Sequence, residues 1–481
     1  MIKKISSKLL PILAVCMLTF TLAGITGCAT TPEKDAASDT NITETPKKQE
    51  KKAPEPQDPP NVKFVKQLRA LLEKEDIKGA IAHFADIPSE LKDDIELKNL
   101  LGALYYSDAQ YDNAIATAEE VLSLDAENME ALELISLCNK AKGDKKAYKE
   151  SADRILAVDP YNTSVNIQKA EEYALNKKYK LARDAYKKAL RGDDKNEDAL
   201  FGYAQMSYYV DDVKTAGETF QKILDKNPEN PAALAYMGKL AYEDENYLRA
   251  TKFVQEALKY DSKNYDYWMD YGTYLRYQGK FDDAAKAWKK AAELDPSYFL
   301  AYAYLAGNYD DLGKWDEALE NYHKVIETNP KYFYAYESTA ILEFHAKNYE
   351  NAIKYFSKTY EFSPTYSYSL MIAACWFKLG KPLEAKKVLQ AQLKKLDNKS
   401  TEYDLVRFYH DPYNRNAESN LIKKITNEGN SNNRGKMLFY MGLYYELNNA
   451  EELANEYYAK VTNMKAPMFF EYRIAEWGLN Q

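Results

Sequence analysis

Residues 265–298 read YDYWMDYGTYLRYQGKFDDAAKAWKKAAELDPSY, and residues 299–332 read FLAYAYLAGNYDDLGKWDEALENYHKVIETNPKY. Laid one over the other, they share a tiny residue at place eight (Gly272, Ala306) and alanine at place twenty (Ala284, Ala318). A large aromatic follows at place twenty-four (Trp288, Tyr322), and a polar residue with proline closes each unit (Asp295-Pro296, Asn329-Pro330). The closing mark recurs at the same 34-residue interval as Asp159-Pro160, Asn227-Pro228 and Ser363-Pro364. Where proline is missing the phase survives, as Asp125-Ala126, Asp193-Asp194 and Asp261-Ser262. One fixed period over eight units means a repeat array, not an enzyme built around a single core.

The units begin at Ile95, Met129, Thr163, Glu197, Pro231, Tyr265, Phe299 and Phe333. Place eight holds only Gly, Ala or Ser, which suits two helices crossing at close range. Large against small at helical spacing predicts an interdigitated core and two antiparallel helices per unit. Gly279-Lys280-Phe281 and Gly313-Lys314-Trp315 break the chain between the two helices. The polar-proline mark ends the second helix, because proline disfavours helical geometry in the residue before it. Asn128, Asn162, Asn196, Asn230 and Asn264 close their units as N-caps for the next helix. Tyr298, Tyr332 and Tyr366 take that place later and are read as packing residues.

These residues resemble the tetratricopeptide repeat family. The resemblance implies an all-α fold, a right-handed α-solenoid of about 12 helix-turn-helix units with a C-terminal capping helix. Residues 95–399 form the solenoid proper, with one deletion after Tyr366. Residues 62–94 are a degenerate first unit that keeps Ala80 and Phe84. Residues 400–434 fit poorly and mark a degenerate unit or bend. Residues 435–481 recover the pattern at Gly442, Ala454 and Tyr458, and the tail from Phe469 to Leu479 is a final amphipathic helix over the last open face.

The chain opens with Lys3, Lys4 and Lys8, then an apolar run from Leu9 to Ile25, then Thr26-Gly27-Cys28. A basic start, apolar middle and small residues read as a secretory signal over residues 1–27. The cysteine behind them resembles a bacterial lipobox, which implies cleavage before Cys28 and lipid on that residue. An uncleaved anchor is the alternative. Ala29, in place of aspartate, implies the outer membrane by the enterobacterial sorting rule. Residues 28–61 hold little aliphatic surface and six prolines, and read as a disordered tether.

The formal charge is −8, which gives no electrostatic case for nucleic acid. With Cys16 in the leader and Cys28 read as lipidated, Cys138 and Cys375 remain and are read as buried filler. His83, His323, His345 and His410 stand in different units, with no partner at metal-ligand spacing. No His-Glu-x-x-His, Cys-x-x-Cys, Gly-x-Ser-x-Gly or phosphate-loop pattern occurs, so no catalytic residue, metal or cofactor is expected.

In the family, places two, five, nine, twelve and thirteen of the first helix point into the groove. Carried over, they give Phe201, Tyr208, Lys239, Tyr242, Met269, Arg276, Tyr277, Asp310, Tyr334 and Phe344 as a candidate protein-binding groove. Tyrosine, methionine and arginine are what interface cores enrich. Family members that clamp chaperone termini carry lysine at place five with asparagine at place nine, and no unit here does so. The expected function is a membrane-anchored scaffold or adaptor in the bacterial cell envelope, lipid-anchored and exported, that binds envelope proteins. The alternative is a surface lipoprotein for host or environmental ligands.

Overall fold

A computed structural model describes residues 58–411 and 415–479. Cys28, the leader and most of the tether lie outside the described residues. Among the described residues the chain forms 25 α-helices, arranged as paired helical hairpins, and no strand. It divides into two compact units, one ending at Thr219 and the other beginning at Phe220.

Helices begin at each predicted unit start, from Ile95–Ser107 and Met129–Lys142 to Phe299–Asp311 and Phe333–His345. The reason is visible in the caps. Asn128, Asn162, Asn196, Asn230 and Asn264 each accept a hydrogen bond from the backbone N–H three residues on, at 2.9–3.3 Å. Each bond satisfies a donor that the helix start would otherwise leave open. Tyr298 and Tyr332 make no such bond. They pack instead against the first residue of their own unit, Tyr298 edge-on to Tyr265 and Tyr332 tilted against Phe299, with centroids 5.4 and 5.0 Å apart. Tyr366 differs from the expected end-of-unit role: it is the first residue of helix Tyr366–Lys378, because the deletion falls just before it.

In the first unit, Gly102 faces Leu134 so closely that any side chain would collide with it, and Ala170 and Ala204 are fully buried. Gly202 lies against the ring of Tyr186. Helices Pro60–Glu73 and Ile77–His83 start this unit and bury Phe64, Leu68, Ala80 and Phe84. Pro60 is already helical, so this helix starts inside the span predicted as tether. In the second unit, Trp288 is fully buried against Gly272, and Tyr458 against Gly442.

Among the described residues, the turn inside eleven hairpins uses one left-handed residue: in seven it is Glu75, Ala109, Lys177, Asp211, Glu245, Lys347 or Asn449, and in four it is Gly143, Gly279, Gly313 or Gly380. Non-glycine residues pay steric strain there that glycine avoids.

From Ala340 to Ala475 one continuous core gathers the last hairpins. Residues 400–434 form a shorter helical pair, Thr401–His410 and Arg415–Thr426, which buries Leu405, Val406, Phe408, Tyr409, Leu421 and Ile425. The tail helix Glu471–Leu479 packs on hairpin Ser431–Leu447 and Glu451–Thr462, but also reaches helix Phe333–His345. It therefore does more than cover an open end.

Candidate functional site

Places twelve and thirteen of the first helices are joined to place seventeen by an aromatic ladder. Within a unit, place twelve meets seventeen: Tyr106 and Tyr111, Tyr242 and Tyr247, Phe344 and Tyr349, all with centroids 5.6–5.7 Å apart. Between units, place seventeen meets the next place thirteen: Tyr179 with Tyr209 and Tyr247 with Tyr277, both at 5.0 Å. Edge and offset contacts of this kind stabilise packing beyond plain area burial. The ladder fastens neighbouring units.

Within the first unit, Phe201 and Tyr208 are half-buried, and Tyr208 touches Tyr209 at 5.6 Å. In the second unit the predicted residues fall into three groups. Tyr277 and Tyr334 are open, at 55% and 65% exposure. Lys239, Arg276 and Tyr242 are half-buried and engaged. Lys239 pairs with Asp270 at 2.9 Å, and Arg276 with Asp311 of the next unit. Burial pushes the Asp270 carboxyl up, against the pull of Lys239. Tyr242 contacts Tyr247, Tyr274 and Tyr277, and burial followed by its bond to Tyr277 raises its phenol well above the ordinary value. Met269 and Phe344 differ from the expectation. Met269 packs between units beside Trp268 and Tyr302, and its carbonyl accepts from the Trp288 indole. Phe344 is buried in the C-terminal core, against Tyr349.

Asp310 is already occupied by the chain itself. Arg473 of the tail helix grips its carboxylate with both terminal nitrogens, one at 2.7 Å. Its guanidinium also lies over the Trp477 ring, 4.4 Å from the centroid. Trp477 sits 4.0 Å from His345 and 5.7 Å from Trp315, whose own rings are 4.2 Å apart. The tail thus meets places twelve, thirteen and seventeen, and Trp477 adds a rung to the ladder. Burial lowers the His345 pKa, aided by Arg473, which favours a neutral imidazole beside the cation.

At its other end the tail is held by its hydrophobic side. Phe470 stacks flat on Tyr368 at 5.5 Å, with Phe356 at 6.2 Å. Glu471 is fully buried, with Oε1 3.0 Å from the Tyr440 hydroxyl. Burial raises its carboxyl pKa, partly offset by hydrogen bonds from Ser367 and Tyr440. Sequence reasoning singled out neither Arg473, Trp477, Trp315 nor His345 for this face. The available signal was an Arg and a Trp four residues apart on an amphipathic helix.

Cys138 and Cys375 are buried free thiols, and burial pushes Cys138 up to about 11. His83 stacks on Phe64, and His323 on Tyr355.

Family models described as tetratricopeptide repeats match residues 265–298 and 306–367. Over those residues the chain is similar to tetratricopeptide repeats. It is 24% identical over 241 residues to the DnaJ homolog subfamily C member 7 homolog of Schizosaccharomyces pombe, covering 44% of this chain and 50% of that one. The DnaJ homolog subfamily C member 7 of Homo sapiens is 29% identical over 175 residues, covering 33% of this chain and 35% of that one. The chain spans half the length of the first relative and about a third of the second. Among solved structures, MamA is 25% identical with a TM-score of 0.32, over 33% of this chain and 92% of that one. A tetratricopeptide repeat protein from Parabacteroides merdae ATCC 43184 is 20% identical with a TM-score of 0.38, over 51% of this chain and 97% of that one.

Proposed function

We propose that the chain is a lipid-anchored scaffold of the bacterial cell envelope, binding one or more envelope proteins on the inward face of its repeats. Tetratricopeptide repeat proteins in general mediate contacts between proteins, and that is the starting point. The observation that carries the reading further is the exposure of Tyr277 and of Tyr334. Exposed tyrosines held rigid by neighbours give contact area at low entropic cost, which suits a binding face. The anchor rests on the sequence alone, on the lipobox-like Thr26-Gly27-Cys28. Lipid there would hold the repeats at a membrane, with the tether setting their reach.

Capture from an envelope extract tests the binding face. The wild-type chain should retain a specific protein that the Tyr277→Ala, Tyr334→Ala variant loses. Both side chains are exposed, and because Tyr277 also packs on Tyr242 and Tyr247, unchanged thermal unfolding of the variant separates a binding loss from a folding loss. Equal retention by both chains would sink the assignment of this face. Separately, Cys28→Ala should abolish lipid labelling and leave a longer precursor; unchanged processing would remove the anchor from the account.

A further inference from the structure

We propose that Asp310, Trp315 and His345 form a recognition seat for a helix that carries arginine and an aromatic residue four positions apart, and that Arg473 and Trp477 fill it in the resting protein. This deepens the reading of the inward face, on which it rests. The seat's chemistry is shown by its occupant. Asp310 offers a carboxylate that is 10% exposed and takes a forked guanidinium contact from a segment 163 residues away in sequence. Such two-point pairing selects arginine over lysine. Trp315 and His345 stand edge to face and receive the Trp477 indole beside them. One turn of helix sets the guanidinium and the indole on the same side, so both contacts are made together.

Three observations say that the occupant can leave. The helix is short, Glu471–Leu479, and short helices are marginal without docking. The segment leading to it is open, with Met468 at 82% exposure and Ala466 in a left-handed conformation. Its far half is exposed or half-buried, while only Glu471, Ile474 and Ala475 are buried. The partner that fits is therefore an amphipathic helix with the Arg-x-x-x-Trp pattern, which replaces the tail's own contacts rather than adding to them.

The probe is a labelled synthetic peptide of residues 467–481, titrated by fluorescence anisotropy. The Arg473→Ala, Trp477→Ala chain should bind it roughly tenfold tighter than the wild-type chain, whose seat is filled. A peptide with Arg473→Glu should lose that advantage. Equal binding by the two chains, or equal binding of the two peptides, would overturn the proposal. Should the double variant fail to fold, hydrogen exchange of the wild-type chain decides. Amides of residues 474–479 should exchange roughly tenfold faster than those of residues 437–443, through local opening of the tail. Equal protection would mean that the tail never leaves, and the seat would then be core only. An envelope partner that binds elsewhere would change none of these results.

Discussion

Replacing Gly272 by alanine sets two effects of known size against each other. In a helix interior the exchange normally stabilises by roughly 0.8–1.0 kcal/mol. Here the new methyl carbon would lie 2.5 Å from the Trp288 Nε1, 2.6 Å from Cδ1 and 2.7 Å from Cε2. Ordinary carbon contacts lie near 3.5–4.0 Å, so the indole must retreat by about 1 Å. It is fully buried, bonded to the Met269 carbonyl at 3.2 Å and packed on Tyr304, so retreat breaks that bond. Overpacking of this kind costs about 1–3 kcal/mol. The net expectation is a loss of roughly 1 kcal/mol. Gly307, in the next unit's first helix, is the internal control, since a methyl there meets nothing within 4 Å. Gly307→Ala should gain roughly 0.8–1.0 kcal/mol. Combining Gly272→Ala with Trp288→Phe should restore part of the loss, with a coupling of about 1–2 kcal/mol. Denaturant unfolding followed by hydrogen exchange in helix Tyr265–Tyr277 reads the effect locally, as an array without one global transition requires. If Gly272→Ala stabilises as much as Gly307→Ala, the close-packing account of place eight is wrong.

Three further outcomes follow from the same structure. Gly313→Ala, which meets no neighbour but has a φ of 68°, should cost about 1 kcal/mol, whereas Lys177→Gly at the equivalent turn should gain about 0.5 kcal/mol, both read by thermal unfolding. Asn230→Ala should cost about 1 kcal/mol through the lost cap to the Ala233 N–H, while Tyr332→Asn should regain a cap only at the expense of its stack on Phe299. The raised Glu471 pKa gives a pH signature of known sign: its contribution is complete below the ordinary carboxyl value and fades as pH rises through the elevated one. Glu471→Gln should therefore flatten the pH dependence of unfolding and leave the variant relatively more stable at neutral pH than in acid; a parallel shift at every pH would refute this.

The repeats were legible because each rule acts over one or two turns of helix. Asn196 caps the next helix three residues on, and Ala204 and Tyr186 reveal their packing by size alone. The tail's return was not legible. Arg473 and Asp310 are far apart in sequence, and no periodicity links a terminal helix to the unit it will cover. The candidate site was legible only as places along the first helices. Places twelve and thirteen do meet a docked helix, at Asp310 and His345. Yet the same places hold the ladder together, so family geometry could not tell open Tyr277 from engaged Tyr242 or buried Phe344.

The central claim is that the inward face binds a protein. A photo-crosslinking amino acid placed at Tyr277, Tyr334 or the exposed second-helix residue Leu248, in living cells, tests it most directly. The account predicts one discrete crosslinked partner from Tyr277 and Tyr334 and none from Leu248. A partner captured from Leu248 but from neither tyrosine would contradict it.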